Sequence, residues 1–92
     1  MVRTYKEREW EIKMEKIIIE LVNEMKGNNR KFEVTVNTKI EDLQLTSLEF
    51  VRLIVNVEEK FNVEFEFDDM ILTKYKTVND LIRVVKNRLN YV

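Results

Sequence analysis

Asp42-Leu43-Gln44-Leu45-Thr46-Ser47-Leu48-Glu49-Phe50-Val51-Arg52-Leu53-Ile54-Val55-Asn56-Val57-Glu58-Glu59-Lys60-Phe61-Asn62-Val63 is the stretch whose reading decides the fold. Thr46 stands three residues before Glu49, the spacing of a capping box. The Thr46 hydroxyl is expected to accept the Glu49 backbone N–H, and the Glu49 carboxylate to accept the Thr46 N–H. Ser47 then occupies the first helical position with a hydroxyl that the cap does not need. A phosphate attached there would lie at the positive end of the helix dipole, beside unpaired N–H groups. Downstream, a period near 3.6 places Phe50, Leu53, Ile54, Val57 and Phe61 on one broad apolar face, enough for a core. Leu48, Val51 and Val55 form a second, narrower stripe, opened by Ser47 and flanked by Glu58 and Glu59. A surface helix needs one stripe, so the second is either more core or a surface that meets a partner.

Working outward, residues from about Thr4 to Lys26 read as one long helix. Its stripe is Trp10, Met14, Ile17, Ile18, Leu21, Val22 and Met25, and Gly27-Asn28-Asn29 supplies the stop signal. Ile12, Ile19 and Tyr5 lie off that stripe. Between 28 and 45 runs a connection in which Phe32, Val34 and Val36 alternate with polar residues, as do Val63, Phe65 and Phe67 further on. Two short strands without a third are marginal, and loop is preferred to strand because short alternation often misleads. Asn62 ends the central helix. Asp68 to Leu72 reads as a short helix with acidic residues in its first turn. Thr77-Val78-Asn79-Asp80 starts a last helix with the stripe Val78, Leu81, Ile82, Val85, Leu89 and Val92. These elements predict an all-α fold: one domain spanning 1–92, a small antiparallel bundle of three main helices plus one short helix, with an extended N-terminal helix.

Composition removes several function classes. The 92 residues are 45% apolar and 36% charged with net charge −1, a globular balance in which 16 basic and 17 acidic side chains intermix. That leaves no basic field for nucleic acid, and Lys74-Tyr75-Lys76 is too short to change this. The run Ile17 to Val22 is too short to span a bilayer, and the N-terminus lacks the apolar core of a signal peptide. The cytoplasm is therefore the default compartment. The chain has no His, no Cys and a single Gly. It thus lacks an imidazole base, a thiolate, the usual transition-metal ligands and a phosphate-cradling glycine loop. Catalysis by the chain itself is not expected.

Glu41-Asp42-Leu43, Thr46-Ser47-Leu48 and Glu58-Glu59-Lys60-Phe61 resemble, in register and without a gap, the acyl carrier protein family. The signature of that family is Glu-Asp-Leu, then Asp-Ser-Leu at the start of the second helix, and Glu-Glu-x-Phe near that helix's end. The resemblance covers roughly Lys39 to Val85, including the Thr77-Val78 helix start, and more loosely the first helix. It implies that Ser47 carries a covalent 4′-phosphopantetheine arm, attached from coenzyme A by a phosphopantetheinyl transferase. It further implies that the arm's thiol holds acyl intermediates as thioesters. Thr46, Leu48, Val51, Val55, Glu58 and Glu59 would then meet the acyl-loading and acyl-processing enzymes of fatty-acid, polyketide or related biosynthesis, with the carrier acting as a monomer. Two positions depart from the pattern: Thr46 replaces the Asp before the serine, and Gln44 stands where Gly is usual. An aminoacyl or peptidyl carrier shares the architecture, and an unmodified carrier-like docking or scaffold module is the alternative of another class.

Overall fold

The central helix, α2, spans Ser47–Phe61. A computed structural model of the chain describes residues 5–26 and 33–89. Before α2 come α1, Tyr5–Lys26, and a 3-10 turn over Ile40–Leu43. After it come two further 3-10 turns, Phe67–Met70 and Leu72–Lys74, and then α3, Val78–Arg88. The helices form the all-α bundle that the three stripes predict, and the described residues contain no strand. The short helix expected at 68–72 is instead two 3-10 turns. Ile71 separates them with an extended backbone, φ −89° and ψ 112°.

Each α-helix buries the face that its sequence period marks. Phe50, Leu53, Ile54, Val57 and Phe61 of α2 are buried. They meet Met14, Ile18, Leu21 and Val22 of α1 and Val78, Leu81, Ile82 and Val85 of α3 in one core. Ile17, Met25 and Leu89 pack at its edge, as does the off-stripe Ile19. Trp10 is partly exposed, but its ring meets Phe61 edge-on at a centroid distance of 6.3 Å. Ile12 is exposed. The Gly27-Asn28-Asn29 stop, Phe32, Val92 and the side chain of Tyr5 lie outside the described residues.

The connections are loops that plug the core, with two qualifications. Val34, Ile40, Leu43, Leu45 and Phe65 are buried. One isolated antiparallel bridge joins Lys39 to Thr77, not the two alternating runs to each other. Contrary to the alternation, Phe67 points outward and is 83% exposed. The chain turns into a 3-10 helix at that residue, so the period of two ends with Phe65.

Helix ends follow the local signals. Asn62 closes α2 in the left-handed conformation, φ 54°, which Asn tolerates better than most residues. Gln44 is also left-handed, φ 54° and ψ 39°. For a residue with a Cβ this costs about 1–2 kcal/mol, which explains physically why a glycine suits that position.

Candidate functional site: the start of the second helix

Thr46 and Glu49 form the capping box. The Glu49 N–H donates to Thr46 Oγ1 at 3.1 Å, and the Thr46 N–H donates to Glu49 Oε1 at 2.8 Å. The Phe50 N–H bonds the Thr46 carbonyl at 2.9 Å and opens the helical ladder. Ser47 is therefore the first residue of α2, and it is exposed. Helix geometry leaves the N–H groups of Ser47 and Leu48 without an intrahelical acceptor. Glu49, the nearest carboxylate along the helix, is committed to the box. An exposed hydroxyl, free amide donors and the positive helix end suit a phosphodiester, with a favourable dipole term of roughly 0.3–1 kcal/mol.

The second stripe of α2 faces outward. Leu48 is 63% exposed and Val55 37% exposed. Val51 is half-buried, and the exposed Glu59 lies near the far end of the helix. Glu58 has an internal task as well: its Oε2 accepts the Phe65 N–H at 2.8 Å, and its carbonyl accepts the Val63 N–H at 3.1 Å. Arg52 and Lys60 stand on either side of these glutamates along α2. The stripe is thus a nearly neutral apolar surface beginning at Ser47.

Beside the α2 start lies a groove of about 650 Å³. One wall is the segment Lys39 to Leu45, which runs directly into Thr46 and Ser47, and the other is Leu72 to Thr77. The two walls are tied at one end by the Lys39–Thr77 bridge and by the Ile40 N–H bonded to the Lys76 carbonyl at 2.8 Å. Tyr75 closes the inner side, its ring 5.2 Å from that of Phe50 and its hydroxyl donating to the Asp69 carbonyl at 2.6 Å. Burial, then the Asp69 charge, pushes the Tyr75 phenol up to about 12, with Arg88 opposing.

The second wall is held from α3. Arg88 meets Asp69 Oδ2 through Nη2 at 2.6 Å and Nε at 2.8 Å, and meets Glu66 Oε1 through Nη1 at 3.4 Å. Asp80 accepts the Lys76 and Thr77 N–H groups at 2.9 and 3.1 Å, and these bonds hold its carboxyl below the usual range. Sequence reasoning found the Thr46 box and the Thr77-x-x-Asp80 start because both are local. It missed the groove and the Arg88–Asp69 contact, whose partners are 19 residues apart and share no motif. The side chain of Tyr75, between two lysines, belongs to the core.

The family model described as a phosphopantetheine attachment site matches residues 18–85. The chain belongs to this family. Its group is therefore 4′-phosphopantetheine, and a member is a carrier rather than a catalyst: a phosphopantetheinyl transferase and biosynthetic enzymes act on it. Curated relatives agree. Acyl carrier proteins of Rickettsia massiliae and Rickettsia typhi are each 34% identical over 76 residues, covering 83% of this carrier and 86% of each relative. The acyl carrier protein of Rickettsia canadensis matches to the same extent. No solved structure matches the chain. Among the described residues, no helix is long and apolar enough to cross a membrane, and no cluster of His, Cys, Asp or Glu is placed to hold a metal.

Proposed function

We propose that Ser47 is the residue that carries the arm, and that the carrier presents acyl groups to enzymes docking on Leu48, Val51 and Val55. The observation that carries this reading is the position of Ser47. It is the sole serine of the chain, exposed at the first position of α2, while Thr46 and Glu49 alone make the cap. In the loading step, the Ser47 Oγ–phosphorus bond forms as the pyrophosphate P–O bond of coenzyme A breaks, adenosine 3′,5′-bisphosphate departs, and the hydroxyl proton leaves to a base of the transferase. The bound arm supplies a terminal thiol that holds the acyl group as a thioester. The role of α2 is to keep Oγ clear of the cap and to offer its free amides to the phosphate. Thr46 gives the same cap as an Asp without its charge, and Glu59 adds a carboxylate at the far end of the docking stripe.

The groove supports an acyl cargo over an aminoacyl one. Its volume of about 650 Å³ is in the range of small-molecule sites, and Ile40, Leu45, Leu72 and Tyr75 give it apolar walls that would cover part of a chain led in from Ser47. The acyl carrier proteins among the relatives point the same way. One domain over 1–92, a monomeric state and a cytoplasmic setting complete the reading.

The test is intact mass after incubation with coenzyme A and a broad-specificity phosphopantetheinyl transferase. Wild type should gain one arm. Ser47→Ala should gain none and unfold at the wild-type temperature, because it removes no cap. A wild type that stays unmodified after exhaustive treatment would favour the docking-module alternative, and modification of Thr46→Asp under the same conditions would assign the failure to recognition.

A further inference from the structure

Two non-glycine residues of those described have a positive φ, Gln44 and Asn62, both at 54°. Gly enters the left-handed region freely, and Asn does so at low cost because its short side chain bonds locally. Gln has neither advantage. The backbone around Gln44 is pinned on both sides. Leu43 and Leu45 are buried, the Gln44 N–H donates to the Glu41 carbonyl at 3.2 Å, and Thr46 is fixed by its box with Glu49. A glycine would meet the same constraints without the conformational cost. What Gln44 adds at this position is therefore its side chain.

Gln44 is exposed and lines the groove. Its carboxamide bonds no group of the described residues. It is also the polar lining residue nearest to Ser47 along the chain, and three residues span at most about 11 Å. The other polar groups of the groove suit an amide less well. Lys39 and Thr77 form the bridge that ties the walls, and Glu41 offers acceptors alone. The 4′-phosphopantetheine arm carries two secondary amides between its phosphate and its thiol. Each presents one N–H donor and one carbonyl acceptor, and a Gln carboxamide presents both kinds of partner. An amide that leaves water for apolar walls such as Ile40, Leu45, Leu72 and Tyr75 is penalised unless it finds such a partner.

We propose that Gln44 holds the arm in the groove, its Oε1 accepting an amide N–H of the arm and its Nε2 donating to an arm carbonyl. The inference rests on the reading that Ser47 carries the arm. The left-handed backbone sets where the carboxamide projects, and the bonds made to the arm offset its cost. Gln44 thus gives this carrier a hold on the arm that a glycine at the same position lacks, and the thiol is sheltered until a partner enzyme draws it out.

The experiment uses the full chain, loaded to completion from coenzyme A whose two pantetheine amides are labelled with nitrogen-15, with loading checked by intact mass. It reads hydrogen exchange at the arm amides and the rate at which the arm thiol reacts with 5,5′-dithiobis(2-nitrobenzoate). Gln44→Met keeps the side-chain length and the backbone cost but removes donor and acceptor. Gln44→Gly removes the side chain and the cost together. In wild type at least one arm amide should exchange about fivefold more slowly than in either variant, and the thiol should react more slowly in step. Before loading, Gln44→Met should unfold at the wild-type temperature and Gln44→Gly several degrees higher. The glycine variant then gains stability while its arm becomes freer, a pairing that damage to the fold does not produce. Equal exchange and equal thiol rates in fully loaded wild type and both variants overturn the contact and leave the Ser47 reading standing. Wild type that gains no mass overturns both. Slow exchange kept in Gln44→Met and lost in Gln44→Gly would make the hold an apolar one and also overturns the proposal.

Discussion

Tyr75 shows how much one side chain does in this carrier. Its ring fills the core against Phe50, its hydroxyl holds the Asp69 carbonyl, and its edge lines the groove. Burial raises its pKa from 10.0 to about 12, so the folded state keeps the phenol proton longer than the unfolded chain does. The stabilisation linked to that proton is complete below about pH 10 and is lost as pH rises through about 12, because over that interval the unfolded chain releases the proton first. Ultraviolet titration should show a late-ionising tyrosine component, and Tyr75→Phe should remove it. A Tyr75→Phe variant with an unchanged titration above pH 10 would mean that the ring is not buried as described.

At the scale of the element, α2 is a helix with two faces of different purpose. Leu53 is fully buried, and Leu53→Ala should cost about 2–5 kcal/mol through lost contacts and a residual cavity. Val55, on the outward stripe, should lose less than about 0.5 kcal/mol on truncation to Ala, but Val55→Ala should bind acyl-processing enzymes more weakly. A chemical denaturation series paired with a binding assay separates the two. Equal destabilisation by both variants would make the second stripe core. The faces, the Thr46 box and the Thr77-x-x-Asp80 start were legible in the sequence because each depends on residues three or four apart, which one helical turn brings together. Ser47 was legible for the same reason: the box accounts for Thr46 and Glu49 and leaves its hydroxyl over. Phe67 was not, since alternation with Val63 and Phe65 places it inside until the 3-10 turn breaks the period. Glu58 was read as a surface charge, because nothing local announces that it accepts the Phe65 N–H.

Across the whole molecule, the segment from Glu66 to Thr77 is a strap joining α2 to α3, and its stretch from Leu72 to Thr77 forms one wall of the groove. Arg88 holds Asp69 and Glu66, Tyr75 holds the Asp69 carbonyl, and Asp80 holds the amides of Lys76 and Thr77. The same helix is tied on its other side by Lys86 to Glu11 of α1 at 3.7 Å. The core is shared by all three helices, so it should unfold as one unit, while the strap, with its backbone in short turns, should open more readily. Arg88→Gln removes the charge that grips Asp69 but leaves the buried stripe of α3 untouched. Hydrogen exchange should therefore speed up at the amides of Asp69, Ile71, Lys74 and Tyr75, whose bonds lie within the strap, with little change in α1 and α2. A uniform rise over all three helices would show that the Arg88 contact supports the global fold instead. A local rise would mean that the groove wall moves on its own, so that cargo could be admitted by loosening the strap while the bundle stays folded.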